Sequence, residues 1–504
     1  MYQYDEFSIH IRANGDVEAK VEIRKKWSDF KTSQLSVSVT EQKYMMRDIE
    51  KLQQGELKSK DLQILGEALY SFLFTPEIGD LFERAVREVR EYNKTIKKEE
   101  TKQLKRLRVS IAVDQESEVM RWPLEFLRGP SGWLATDIDL TLSRRIVFEK
   151  GFVNLRSNIP PLKVLIMVSK PQGLEGVLSA KVIEEIASWA KPKKDTEAVS
   201  RLPREQLRSA SRSEAGEEQT KVQVKLLGKV DDFERDIPGI KYLDLPATYT
   251  NLREIASSNW NPHVLHFIGH GKVDERAREG SLAMVGPDDG VDWCNSTQFV
   301  EVLVKLEPRL VVLQACESAS PGTGPGFLSL AAHLVQHNIP AVVAMQFEIR
   351  NDYATLFSSE FYRTLAEGWE VDAAVQRGRW KIPTDQVRWN ERHFGTPALF
   401  MLSPSGIIRP VSSVRRTGAE SYKTEQTQIG GQATRGLSLV EQIKFLYEEA
   451  SKAADRGDWE MADKLTKRAA ELRESQQASA LLQKESKKSG LGTSRKDQPH
   501  PTPS

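Results

Sequence analysis

Short, mainly apolar runs recur through the middle of the chain and alternate with segments of helical spacing. The clearest apolar runs are Leu107–Val113, Val164–Val168, Val264–Ile268, Leu310–Leu313 and Ala341–Met345, with further candidates at Thr141–Val147, Val222–Leu226 and Tyr242–Leu245. Runs of this length predict buried strands. The helical segments are Val182–Ala190, Thr248–Ser257, Phe327–Gln336, Tyr353–Glu367 and Asp372–Ile382. This alternation predicts an α/β fold with a mostly parallel central sheet and helical crossovers.

The first hundred residues show a different pattern. Between positions 7 and 23, apolar residues alternate with polar ones on either side of Asn14-Gly15, which predicts a β-hairpin. Residues 41–106 repeat apolar positions every three or four residues, which predicts helices. We expect the basic run Lys94–Arg108 to be a solvated helix face rather than a nucleic-acid patch.

The last hundred residues separate into three parts. Residues 405–436 are rich in Ser, Thr, Gly and Gln and are predicted to be a flexible linker. Residues 437–485 carry a capping box at Ser438–Glu441 and two apolar stripes separated by Gly457, which predicts a small helical hairpin. The hairpin resembles a single tetratricopeptide unit, and one such unit buries its stripe poorly, so it should pack on a partner or on the body. Residues 486–504 are predicted to be a disordered tail.

One polar segment interrupts the middle of the chain. Residues 191–221 contain many Ser, Arg and Glu residues and almost no large apolar one. A segment of this length and composition predicts a disordered insertion. It is either a tolerated surface insertion or a regulatory loop that the protein cleaves in itself.

Composition narrows the class of protein. The chain has 504 residues, with 72 basic and 71 acidic side chains, so bulk charge points to neither nucleic acid nor an acidic membrane. No apolar run is long enough to span a bilayer, and the start of the chain lacks the pattern of a signal peptide. Two cysteines in this length suggest a reducing compartment, and we expect the cytoplasm.

The candidate chemistry lies where two of the predicted strands end. One run is followed by Gly269-His270-Gly271 and the other by Gln314-Ala315-Cys316. Because ligands bind beyond the carboxyl ends of strands in open α/β sheets, His270 and Cys316 should face one cleft. A neighbouring imidazole activates a thiol, so these residues form a candidate base and nucleophile.

These motifs resemble those of the caspase-type cysteine peptidases, and most closely the CHAT family. Caspases continue Q-A-C with a basic or small residue and Gly, whereas this chain continues with Glu317-Ser318. Trp122–Leu127, Arg144-Arg145, Asn338–Val343 and Phe394–Ala398 are similar to further CHAT segments. The resemblance covers roughly residues 60–404. It implies a caspase-like three-layer fold, with a peptidase domain at 107–404 and residues 1–106 as part of the same module.

The resemblance also implies roles for individual residues. His270 would act as general base and acid and Cys316 as nucleophile. The backbone N–H groups of Gly271 and Cys316 would form the oxyanion hole. Gln314, Glu348 and Asp352 are candidate substrate-binding residues. Asn351 stands where many relatives carry an aspartate, so a preference for a basic substrate side chain stays open.

The remaining histidines and cysteines suggest no further chemistry. His263 and His266 lie in the strand of His270 and are expected to be structural, as is Cys294. Eight histidines and two cysteines show no zinc spacing, and no nucleotide-binding motif occurs. We therefore expect neither a metal nor a cofactor.

Together these features predict a CHAT-like cysteine endopeptidase that cleaves a partner protein. Relatives of this kind are commonly activated by an associated sensor in prokaryotic defence or stress responses, and the C-terminal hairpin would dock that activator. The alternative is a non-catalytic caspase-fold scaffold for protein–protein interaction. A small-molecule hydrolase is a third possibility, but the chain lacks a serine elbow.

Overall fold

A computed structural model describes residues 3–23, 26–35, 39–96, 104–114, 117–146, 162–174, 177, 179–190, 222–230, 237–274, 279–317, 326–367, 369–382, 392–402 and 449. The predicted insertion at 191–221 lies outside these residues. So do the predicted linker, helical hairpin and tail from residue 405 onwards, apart from Glu449.

The described part of the chain begins with three strands and three helices, after which groups of one to five strands are separated by helices. The strands are β1 (Gln3–Ile11), β2 (Asp16–Ile23), β3 (Lys26–Gln34), β4 (Lys105–Val113), β5 (Arg128–Gly129), β6 (Gly132–Trp133), β7 (Leu140–Ile146), β8 (Leu162–Val168), β9 (Val222–Leu227), β10 (Ile240–Tyr242), β11 (Val264–Asp274), β12 (Glu279–Val285), β13 (Val291–Asn295), β14 (Leu310–Glu317), β15 (Ala341–Met345) and β16 (Pro397–Met401). The helices are α1 (Val39–Gln54), α2 (Ser59–Leu73), α3 (Pro76–Ile96), α4 (Ala180–Ala190), α5 (Tyr249–Ser257), α6 (Ser296–Leu306), α7 (Gly326–Gln336), α8 (Asn351–Ala366) and α9 (Val371–Lys381).

One large sheet contains every described strand except β5 and β6. Its order is β10-β9-β8-β11-β14-β15-β16-β7-β4-β1-β2-β3, with β12 and β13 extending from β11. In this order, β10, β9, β8, β11, β14 and β15 run parallel to one another, as do β16, β7, β4 and β1, but β15 and β16 are antiparallel. The pairs β11–β12 and β12–β13 are also antiparallel. The carboxyl ends of β11, β14 and β15 therefore share one edge of the sheet with the amino ends of β16, β7 and β4.

Helices cover both faces of the strands that carry the candidate site. Successive side chains of a strand point to opposite faces, and in β8 they divide between two clusters. Val164, Ile166 and Val168 join one core with residues of α4, α8 and α9. Leu165 and Met167 join another with residues of α5, α6 and α7. Burial on both faces explains the uninterrupted apolar runs and confirms the predicted three-layer α/β arrangement.

The N-terminal hairpin is confirmed. β1 pairs antiparallel with β2, and the turn between them contains Gly15 at φ +86°, a conformation that glycine adopts without strain. Alternate residues of β1, beginning with Phe7, are buried against α3, where Phe82 packs edge-to-face on Phe7. The third strand, β3, was not predicted because its only large apolar residues are Trp27 and Phe30.

Two predictions about elements are wrong. The run Lys94–Arg108 is not one helix face, because α3 ends at Ile96 and β4 begins at Lys105. Arg108 is buried there, with its guanidinium against Asp372 at 2.7 Å, so the basic run reflects buried ion pairing as well as surface charge. The strand predicted at Tyr242–Leu245 is instead Ile240–Tyr242, so the two ranges share only Tyr242.

Candidate active site

The two predicted catalytic residues lie opposite one another on neighbouring strands. β11 and β14 run parallel in a register that pairs Val264 with Leu310, His270 with Cys316 and Gly271 with Glu317. Neighbouring strands are about 4.8 Å apart, so this register brings the two backbones as close as a sheet allows. The sequence placed both residues where a predicted strand ends. In the structure both lie within one continuous parallel ladder.

His270 is close to the edge of the sheet but is largely enclosed. Its side chain retains 7% exposure. The preceding Gly269 is closely surrounded, because a Cβ there would lie 2.9 Å from the Phe267 ring and 3.3 Å from Ser169. Only glycine fits that contact without displacement of the core. The backbone leading to His270 is thus fixed by packing from β8 and β11.

Gly271 continues the ladder beyond His270. It pairs with Glu317 of β14 on one side and with Leu282 of the antiparallel strand β12 on the other. Its proposed role as an oxyanion donor, and that of the Cys316 backbone, stay predictions.

His266 lies four residues before His270 in β11 and is fully buried. Its Nδ1 contacts the hydroxyl of Tyr362 in α8, and its Nε2 lies 3.2 Å from Oε1 of Gln314 in β14. Burial lowers the pKa of His266 to about 3, although the hydrogen bond with Gln314 opposes that change. The ring is therefore neutral at physiological pH.

His263 immediately precedes the first residue of the same strand. Its Nδ1 accepts a hydrogen bond from the backbone N–H of Lys163 at 2.9 Å. Burial, and then the charges of Arg309 and Lys163, lower the pKa of His263 to about 4. The contacts of His263 and His266 fit the structural roles expected of them.

The other cysteine is enclosed in the core beside β12. Burial, helped by the charge of Asp292, raises the pKa of the Cys294 thiol to about 12. A thiol that stays protonated at neutral pH is a poor nucleophile, so this site offers no second reactive thiol.

The three candidate substrate-binding residues occupy different environments. Gln314 is buried beside His266. Glu348 is exposed in the segment that follows β15, at the edge of the sheet where β14 also ends. Asp352 is exposed in the first turn of α8 and forms an ion pair with Arg350 at 2.6 Å. Both carboxylates are exposed, although that of Asp352 is engaged by Arg350, whereas Gln314 is buried.

A buried ionic network that the sequence did not reveal supports this segment. Arg144 of β7 contacts both carboxylate oxygens of Glu125, at 3.0 and 2.5 Å, and Arg379 of α9 lies 3.8 Å away. Burial raises the pKa of Glu125, but Arg144 and Arg379 outweigh it and hold the pKa below its usual value. Gln346, just after β15, donates to Glu125 at 2.8 Å and to the Gly395 carbonyl at 2.6 Å.

The network explains two motifs that the sequence offered only as resemblances. Trp122–Leu127 supplies Glu125, and Arg144-Arg145 supplies its partner. The signal in the sequence was one acidic residue in the first of these segments and two basic residues in the second. Nothing in the spacing of 19 residues between Glu125 and Arg144 showed that the two would meet, or that Gln346 would join them.

Two wider features bear on the chemistry. Among the described residues, no group of three or more His, Cys, Asp or Glu side chains is placed to hold a metal ion. Within the same part of the chain, no helix combines the length and apolar character needed to cross a bilayer.

Comparison with known proteins gives a family. Residues 63–405 match the CHAT domain. The Arg-specific cysteine proteinase gingipain R is 12% identical with a TM-score of 0.37, over 73% of this chain and 76% of that one. Saccharomyces cerevisiae separase, in its complex with securin, is 11% identical with a TM-score of 0.35, over 79% of this chain and 30% of that one. No curated protein matches. Because the CHAT match spans more than half of the sequence, the chain belongs to the CHAT domain family.

Proposed function

We propose that this protein is a cysteine endopeptidase that uses Cys316 and His270 as a dyad. The observation that carries the proposal is the strand register that pairs these two residues. Membership of the CHAT family supports it. The exposed carboxylates of Glu348 and Asp352, at the same edge, are the proposed contacts to substrate.

The reaction follows from the chemistry of the two side chains. His270 removes the proton from the Cys316 thiol, and the sulfur attacks the carbonyl carbon of a peptide bond. The Gly271 and Cys316 backbone N–H groups stabilise the oxyanion. His270 returns the proton to the leaving amine as the C–N bond breaks and a thioester forms. Water, deprotonated by His270, then hydrolyses the thioester and regenerates the thiol.

The biological setting belongs to the same proposal. The substrate is a partner protein in the cytoplasm, and a sensor protein that docks on residues 437–485 switches the enzyme on in a defence or stress response. Low cysteine content and the predicted helical hairpin support these points.

Labelling by thiol-reactive peptide electrophiles tests the dyad. Probes ending in arginine, aspartate or leucine are applied with and without cell lysate as a source of activator. Labelling should disappear in Cys316→Ala and slow by about 10²–10⁴-fold in His270→Ala, whereas Cys294→Ala should behave as wild type. If Cys316 reacts no faster than a free thiol even with lysate, and His270→Ala changes nothing, the scaffold function replaces the peptidase.

A further inference from the structure

Three buried polar side chains form a hydrogen-bonded chain whose two strand members precede the proposed dyad in β11 and β14. Tyr362 of α8 contacts His266 of β11, and His266 contacts Gln314 of β14. Tyr362 and His266 are completely buried and Gln314 is 5% exposed. The three residues join a helix to both strands that carry the dyad.

The direction of these hydrogen bonds follows from the protonation of the ring. His266 is neutral because burial lowers its pKa to about 3, so it carries one N–H. Gln314 Oε1 can only accept, which places that N–H on Nε2. Nδ1 therefore accepts from the hydroxyl of Tyr362, whose pKa burial raises well above its usual value.

The position of the chain relative to the dyad is specific. Gln314 precedes Cys316 by two residues, and His266 precedes His270 by four, on the same strand faces. The other inward positions of these strands on that face are apolar, namely Val264, Ile268, Leu310 and Val312. The net stability that a buried hydrogen bond adds is small, so apolar residues would serve the core here as well.

We propose that His266 is a positioning residue for the dyad. Through Gln314 and Tyr362 it ties both strands to α8 and so holds the strand ends that carry His270 and Cys316 in place. This inference rests on the proposed peptidase function and assigns Gln314 a role through the strands instead of a contact with substrate. Because Tyr362 belongs to the helix that begins at Asn351, the chain also links the candidate specificity segment to the dyad.

The test measures the rate at which iodoacetamide labels Cys316 across pH 5 to 10 in the full chain, under conditions in which wild type is activated. Tyr362→Phe removes one hydroxyl, and His266→Leu removes both hydrogen bonds. His266→Gln restores a donor to Gln314. Tyr353→Phe is the matched control, since it removes a hydroxyl from a buried tyrosine of the same helix.

Tyr362→Phe and His266→Leu should slow labelling at pH 7 by about tenfold or more and move the pH profile upward, since small misplacements of a reacting group can cost about 10²-fold. His266→Gln should recover most of the rate, and Tyr353→Phe should match wild type. A merely structural role would lower the melting temperature and leave rate and profile unchanged, which overturns the inference. If Cys316 of the wild-type protein reacts no faster than a free thiol, the proposed peptidase function fails. That failure is seen in the wild-type protein alone, so it is distinct from failure of the positioning role.

Discussion

His270 and Cys316, which are 46 residues apart in sequence, are direct partners in the parallel ladder between β11 and β14. The connection between them contains β12, β13 and α6, and it returns the chain to the strand beside its starting point. The crossover therefore converts two distant motifs into neighbours at one edge of the sheet. The order of the strands, more than the motifs themselves, makes a dyad possible.

Charge removal at Glu348 should change the choice of substrate without changing stability. Glu348 is exposed, whereas the Asp352 carboxylate is partly neutralised by Arg350. If this edge binds a basic side chain, Glu348→Gln should reduce labelling by the arginine probe relative to the leucine probe about tenfold, and Asp352→Asn should reduce it less. The free energy of unfolding should change by no more than about 0.5 kcal/mol. Glu301→Gln, an exposed change on α6, is the control, and an unchanged probe ratio in both variants would remove this segment from the specificity site.

Sequence patterns were sufficient to predict the layers of the fold, because a strand that is buried on both faces consists mainly of apolar residues. Strands covered on both faces, such as Val164–Val168 and Ala341–Met345, are uninterrupted apolar runs and were predicted, whereas β16, which is equally buried, was not among the predicted strands. The edge strand β3 and the hairpin β12–β13 carry weaker patterns and were missed. The reversal between β15 and β16 was also missed, because pairing direction depends on contacts far apart in sequence.

The site was predictable only where the chemistry is local. The two candidate catalytic residues could be recognised from the residues next to them in sequence, in Gly269-His270-Gly271 and Gln314-Ala315-Cys316. The ion pair between Glu125 and Arg144, and the contact between His266 and Tyr362, join separate elements, and no periodicity indicates them. Arg108 shows the same limit, since a basic residue on a strand resembles a surface residue until its buried partner, here Asp372, is known.

Neutralising Glu125 should strongly destabilise the protein. Glu125 is 1% exposed and lies between Arg144 and Arg379. Glu125→Gln would leave two buried guanidinium groups without their counter-ion, which typically costs about 3–5 kcal/mol. Urea denaturation measures the change. In the control Glu67→Gln, the exposed pair with Arg128 is lost, and the cost should stay below about 1 kcal/mol. Equal effects of the two substitutions would show that the buried network is not a principal source of stability.

Two glycines within helices should respond in opposite ways to alanine. At Gly66 of α2, an added Cβ would meet the Trp133 ring and lie 2.5 Å from the Phe126 carbonyl oxygen. At Gly79 of α3, the nearest atom would be 3.5 Å away. Gly66→Ala should therefore cost about 1–3 kcal/mol through overpacking, whereas Gly79→Ala should gain up to about 1 kcal/mol from helix propensity. Thermal denaturation of the two variants compares them directly. A stabilised Gly66→Ala would show that α2 is not packed tightly against Phe126 and Trp133.

Stability should fall in mildly acidic solution partly because of His266. In the folded protein its pKa is about 3, whereas an unfolded chain gives about 6.5. Between these values the unfolded state binds the extra proton, so stability rises with pH through this window and the full contribution is present above about pH 6.5. His266→Gln should therefore flatten the rise in unfolding free energy between pH 4 and 6.5, by up to about 1.4 kcal/mol per pH unit. His263, with a pKa of about 4, contributes in the same direction and keeps part of the slope in the variant.

Urea denaturation at a series of pH values measures the slope for wild type and for His266→Gln. The control is His337→Gln, an exposed change in the turn after α7. If His266→Gln and wild type lose stability in parallel on acidification, His266 accepts a proton in the folded protein and is not the neutral donor to Gln314.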